Sequence, residues 1–230
     1  LEEYITALGG DIFSKSLKNI CQQFEDVDNF GSLIQPYFED HKVLKEKINL
    51  KFNSNNIFLK NTHNKILHII NQSEFLQTKY QVVVANPPYM GTKGMNQKLS
   101  NYLQKNYEDV KSDLFAAFII RNCKLAVPGG QLGFMTPFVW MFITSYEKLR
   151  LIIINQKTIT TLVQLEYSGF EGATVPICAF TLENNNQPSF KGGYIKLSNF
   201  KGASNQSPNT RYAIKNKNCN WFYRFSLNDC

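Results

Sequence analysis

Along this chain the apolar residues recur at helical spacing, in alternation or in short unbroken runs, and the changes between these patterns divide it. Up to about residue 50 the pattern is helical but interrupted. Asn29-Phe30-Gly31 is a turn signal and Pro36 stops any helix through it, while Phe24, Phe30, Leu33, Ile34, Tyr37 and Phe38 are expected to pack. Residues 51–64, rich in Asn and Lys, read as a loop with Ile57 and Phe58 tucked in. Over residues 64–79, Ile66, Ile69, Ile70 and Leu76 take up helical spacing. Then the period changes. Tyr80-Gln-Val-Val-Val-Ala85 is β-branched and apolar on both faces, as a buried central strand of a parallel sheet is. Two prolines cannot continue a central ladder, so the strand ends at Asn86-Pro87-Pro88-Tyr89.

Beyond it, residues 91–94 form a glycine-bounded loop and residues 97–106 a polar helix. Ser112 can cap the next helix, with Asp113 favourable in its first turn. That helix carries Leu114, Phe115, Phe118, Ile119 and Leu125 and stops at Pro128-Gly129-Gly130. Residues 131–136 are the next strand, and Ser145 opens a helix through Leu149 and Ile153. Two β-rich runs, 158–166 and 176–182, are separated by a turn around Gly169 and Gly172. A polar linker, residues 184–188, leads into a loose series of short strands and turns with Trp221, Phe222 and Tyr223. Alternating strands and helices predict an α/β sheet. The expected organisation is a helical and irregular lead-in over 1–79, an α/β core over 80–183 and the start of another domain over 184–230.

Composition narrows the class. Of 230 residues, 43% are hydrophobic and 19% charged, which is a globular balance. No apolar run approaches the roughly 20 residues of a membrane span, so no membrane partner is expected. The chain begins with Leu1 rather than Met and lacks the basic-then-apolar pattern of a signal peptide, which reads as a piece of a longer protein. A net charge of +7 and a pI of about 9.1 suit a polyanion such as DNA or RNA, although the lysines are scattered and an ordinary basic protein has the same balance. Five cysteines without a CxxC pair argue for reduced thiols in a cytoplasm. His63 and His68 do not share a helix face, and no metal site is expected.

The candidate chemistry lies at Asn86-Pro87-Pro88-Tyr89. In open α/β sheets ligands bind beyond the carboxyl ends of the strands, and this run sits at such an end. The exocyclic nitrogen of adenine is a poor nucleophile because its lone pair is delocalised into the ring. Two acceptors aimed at its two N–H bonds draw that pair back. Asn86 offers a side-chain oxygen and Pro87 a backbone carbonyl, and the paired prolines Pro87 and Pro88 hold both in place. Tyr89 offers an aromatic face to a base taken out of its stack. The plainer alternative is a Pro-Pro turn with Tyr89 as packing.

At these residues the sequence resembles the adenine-specific amino-group DNA methyltransferases, whose catalytic motif is Asn-Pro-Pro-Tyr. Ser112 to Phe118, then Pro128-Gly129-Gly130, resemble the helix after that motif. Phe134-Met135-Thr136-Pro137, Trp140 and Lys148-Leu149-Arg150 resemble the following strand and helix. The combination of Asn29 to Ile34, Ala85 to Gly91, Lys93 to Asn96 and Trp140 to Phe142 is similar to the methyltransferases of BREX phage-resistance systems, the PglX type. The resemblance implies the later strands of a Rossmann-like sheet, mainly parallel, with residues 176–182 antiparallel, followed by the start of a target-recognition domain. It implies S-adenosylmethionine as cofactor, double-stranded DNA as substrate, other defence proteins as partners and a bacterial cytoplasm as location. By position, Asn86 and Pro87 would bind the adenine amino group, Tyr89 would stack on the flipped base, Phe118 would lie against the cofactor adenine and Phe170 would wall the base pocket. A plain core position competes with each of the last two.

The family's Gly-rich cofactor loop is not found; Gly9-Gly10-Asp11 follows no buried strand. The chain is therefore expected to bind cofactor poorly on its own and not to turn over. The alternatives are a methyltransferase fused to a restriction nuclease, one acting on RNA or on a glutamine amide, or a DNA-binding module of a defence complex without catalysis.

Overall fold

The computed structural model describes residues 1–10, 13–167, 169 and 175–229. It falls into two compact units, Leu1–Thr78 and Lys79–Cys230. The first unit is helical: α1 (Glu2–Ala7), α2 (Phe13–Gln23), α3 (Val27–Phe30), α4 (His41–Lys51) and α5 (Ile57–Gln77). Its core gathers Tyr4 and Ile5 of α1, Leu17 and Ile20 of α2, Leu44 and Ile48 of α4, and Ile66 and Ile70 of α5. Spacings of three and four put the pairs of α2, α4 and α5 each on one helix face.

Two expectations fail in this unit. The segment read as a loop over 51–64 contains the first two turns of α5, because the Asn56 side chain caps the helix by accepting from Phe58 N at 2.8 Å. Ile57 and Phe58 are 67% and 76% exposed rather than tucked in. Tyr37 is also exposed, whereas Phe24, Leu33 and Ile34 are buried.

The second unit is built on one six-stranded mixed sheet. In chain order its elements are β1 (Tyr80–Ala85), α6 (Gln97–Asn106), α7 (Leu114–Leu125), β2 (Ala126–Pro137), α8 (Glu147–Gln156), β3 (Thr158–Gln164), β4 (Ile177–Glu183), β5 (Gly192–Lys196), α9 (Ala203–Lys215) and β6 (Phe222–Phe225). The sheet order is β1-β2-β4-β3-β5-β6. β1 runs parallel to β2 and β3 parallel to β5, while β4 lies antiparallel between β2 and β3, and β6 antiparallel to β5. β1, β2, β3 and β5 therefore share one direction, and their carboxyl ends share one edge of the sheet. Leu132 and Phe134 of β2, Leu162 of β3, and Cys178, Phe180 and Leu182 of β4 are buried on one face, where α7 and α8 pack.

Local details depart from the sequence reading. Asp113, not Ser112, caps α7, accepting from Phe115 N. The helix ends at Leu125, before Pro128, and β2 begins at once; Gly129 takes the left-handed conformation (φ +74°) that lets the strand turn back into register. β1 has the composition of a central strand, yet it is the outermost strand among the described residues. Val82 and Val84 are 60% and 75% exposed because nothing described packs on their face. The segment after Pro188, read as short strands and turns, contains the 13-residue α9 despite Pro208 within it.

Candidate functional site at the end of β1

Asn86 follows directly on β1, whose last residue, Ala85, pairs with Phe134 of β2. The turn therefore leaves the sheet at the carboxyl edge. Asn86 is exposed, Pro87 buried and Tyr89 37% exposed. The Tyr89 hydroxyl folds back on the strand ends: its oxygen is 3.0 Å from Asn86 Oδ1 and 3.1 Å from the Met135 carbonyl of β2. A phenol has one proton to donate, so these two acceptors share it. The contact orients the Asn86 amide, fixing which of its ends faces the tyrosine. Burial raises the Tyr89 pKa, so its hydroxyl stays a donor through neutral pH.

Asp113 holds the other side of the turn. Its carboxylate accepts from Met90 N at 3.1 Å and Phe115 N at 3.3 Å, Leu114 N donates to the Met90 carbonyl at 2.9 Å, and Gly91 bridges to Asp113. One side chain thus caps α7 and anchors the chain just past Tyr89. Burial pushes the Asp113 carboxyl up, opposed by the backbone N–H groups and by a hydrogen bond from Tyr146. The Tyr146 hydroxyl is in turn pushed up to about 12, mainly by burial. Phe115 is fully buried and meets the Tyr89 ring edge-to-face, centroids 6.4 Å apart.

The structure brings Asn86, Pro87, Pro88 and Tyr89 together with Asp113, Phe115, Tyr146 and the Met135 carbonyl. The sequence reading had Asp113 only as a helix-start acid and did not assign Phe115, Tyr146 or Met135 to the site. The only sequence signal for the anchor was an acid at the start of the helix after the motif. Phe118 lies on α7, half-buried, one turn beyond Leu114. Phe170 and Asp11 lie outside the described residues. The four described cysteines are free, and no helix among the described residues is long and apolar enough to cross a membrane.

Comparison with known proteins gives this arrangement its context. The chain is 34% identical over 189 residues to the adenine-specific methyltransferase BrxX of Escherichia coli O9:H4 (strain HS), covering 80% of this chain and 16% of that protein. It is 28% identical over 225 residues to the adenine-specific methyltransferase PglX of Lacticaseibacillus casei (strain Zhang), covering 94% and 19%. The chain thus spans less than a fifth of the length of these curated relatives. The fold is similar to a nuclease-deletion mutant of the Type ISP restriction-modification enzyme LlaGI in complex with a DNA substrate mimic (TM-score 0.53, 13% identity, 71% of this chain and 18% of that one). It is also similar to a chain of a type I restriction-modification system (TM-score 0.51, 15% identity, 92% and 49%). The family model of the Eco57I restriction-modification methylase matches residues 11–170, on both sides of the Asn86–Tyr89 turn, and this chain belongs to that family.

Proposed function

We propose that the protein is a site-specific DNA methyltransferase acting on the exocyclic amino group of adenine flipped out of duplex DNA, working with other proteins of a BREX-type phage-defence system. The observation that carries this reading is the Asn86–Tyr89 hydrogen bond at the carboxyl end of a parallel strand, in a chain of this family. The names of BrxX and PglX, both adenine-specific methyltransferases, favour adenine over a glutamine amide.

In this reading Asn86 Oδ1 and the Pro87 carbonyl accept the two amino protons. As the nitrogen turns from planar to tetrahedral its N–H groups become more positive, so the two fixed acceptors bind the transition state more strongly than the ground state. The Tyr89 hydroxyl uses one lone pair of Oδ1 and leaves the other for the base. The Tyr89 ring stacks on the flipped adenine.

S-adenosylmethionine supplies the methyl group when bound. The residues present fit part of it: Asn86 at the strand end and Phe118, half-buried on α7, would hold it. No described strand leads through a glycine-rich turn into a helix, the arrangement that would hold its methionine part. The unpaired edge of β1, with exposed Val82 and Val84, supports assigning this sheet to the later half of a Rossmann-like sheet. Residues 184–230 would then begin the target-recognition part.

The test is methylation in cells. The full-length protein, produced in a bacterium free of DNA methylation together with its neighbouring gene products, is expected to leave methyladenine at one sequence motif, read by single-molecule sequencing. Asn86→Ala should abolish it. An unmodified genome would reject the reading in favour of RNA, a glutamine amide or a binding role without catalysis.

A further inference from the structure

The charge of the chain is not evenly spread. All but one of its eighteen acidic residues precede Asn184, whereas Lys196, Lys201, Arg211, Lys215 and Lys217 follow it. These five cations are exposed, and none is in an ion pair among the described residues. The remaining acid, Asp229, is taken up by Lys191 and by Ser226. Most of the net charge therefore sits on β5, α9 and the loops beside them.

α9 is fixed at the same sheet edge as Asn86. Gln206, buried in its second turn, accepts from Glu166 N at 3.1 Å and donates to the Phe200 carbonyl and to the Gly202 carbonyl at 3.0 Å. Glu166 lies just past the carboxyl end of β3, and its carboxylate also accepts from Gly202 N. Farther along, Ala213 packs on Ile195 and Leu197. One flank of α9, with Ser207, Thr210 and Arg211, forms an open groove of about 580 Å³ with Leu165 and Gly169. Asn86 follows β1 and Leu165 follows β3, three strand spacings apart, about 14 Å. At 3.4 Å per base pair that is about four base pairs of duplex.

We infer that this flank of α9, with Arg211 and the Ser207 hydroxyl on it, is a docking track for the phosphate backbone of duplex DNA a few base pairs from the flipped base. A guanidinium with a hydroxyl donor is phosphate chemistry, and Thr210, whose hydroxyl donates to the Gln206 carbonyl at 2.8 Å, only lines the groove. Gln206, buried at the foot of the groove, spends its hydrogen bonds on the protein. The track therefore positions DNA without reading its sequence. It rests on the reading that DNA is the substrate.

The test is a binding titration of the full-length protein with two duplexes of unrelated sequence over a range of salt. Arg211→Ala should weaken both by the same factor, about tenfold near 0.1 M salt, and lower the slope of log affinity against log salt by about 1. Lys65→Ala, an exposed cation on α5, should leave both unchanged. Unaltered affinity in Arg211→Ala, a loss confined to one sequence, an equal loss in Lys65→Ala, or stronger binding to RNA than to duplex DNA would overturn it. A protein that binds DNA through Arg211 but leaves genomes unmethylated would keep the track and reject the methyltransferase reading. Methylation unaffected by Arg211→Ala, with unaltered binding, would do the reverse.

Discussion

At the scale of single residues, the hydroxyl of Tyr89 separates two roles that its ring alone would blur. The ring can stack on a base; among the described residues the hydroxyl bonds to Asn86 Oδ1 and the Met135 carbonyl. Tyr89→Phe keeps the stacking surface and frees the Asn86 amide to rotate. It is expected to lower kcat of the full-length enzyme about tenfold, equivalent to about 1.4 kcal/mol of transition-state stabilisation, with KM for DNA little changed. Tyr89→Ala should raise KM as well, because the platform is lost. Full activity in Tyr89→Phe under single-turnover conditions would remove the positioning role. Asp113 makes a complementary case. Asp113→Ala leaves Met90 N and Phe115 N without their acceptor and is expected to cost about 1–2 kcal/mol, the loss of a helix cap, measurable by urea denaturation. Asp113→Asn, which keeps an acceptor oxygen, should recover part of it.

At the scale of elements, legibility followed the range of the causes. β1, the turn after it and α7 were readable because a β-branched run, two prolines and a helical apolar spacing are local signals. The start of α5 was missed because one side chain, Asn56, converts a polar stretch into a cap. α9 was missed because Pro208 and a run of Ser and Asn disguise a helix whose stability comes from Gln206, Ala213 and its packing on residues before and after it. Asn184 is the clearest instance. Read as linker, it sets the two protons of Nδ2 among the carbonyls of Cys123, Ala126 and Val127 at 3.0–3.2 Å and accepts from Lys157 at 2.6 Å. It ties the end of α7, the start of β2 and the end of β4 into one corner. No sequence period announces such a role. Asn184→Ala removes both amide donors from a partly buried corner of three carbonyls and should destabilise the second unit by about 2 kcal/mol. A denaturation midpoint equal to that of the unaltered protein would show that water replaces the amide at no cost.

At the scale of the whole molecule, the two units differ in how they respond to acid. The first holds two imidazoles whose pKa values burial lowers: His41, bonded to Ser73, and His63, which lies between Tyr4 and Asn49 and stacks on Phe52. The bonds of His63 fix its tautomer, with the Tyr4 hydroxyl donating to Nδ1 and the Nε2 proton going to Asn49 Oδ1. A folded pKa below the unfolded value means that, as pH falls through the ordinary imidazole range near 6.5, the unfolded chain takes up protons that the folded chain refuses. Stability is then complete above that range and lost as pH descends towards the folded pKa values. In the second unit no histidine is present to add to this trend. The helical unit is therefore expected to melt at a lower temperature at pH 5.5 than at pH 7.5. His63→Gln should lower the melting temperature at both pH values while shrinking the difference between them, since one of the two imidazoles whose pKa burial lowers is gone. If the difference is the same with and without His63, its burial does not make the unit sensitive to acid, and the cause lies with His41 or with the carboxylates.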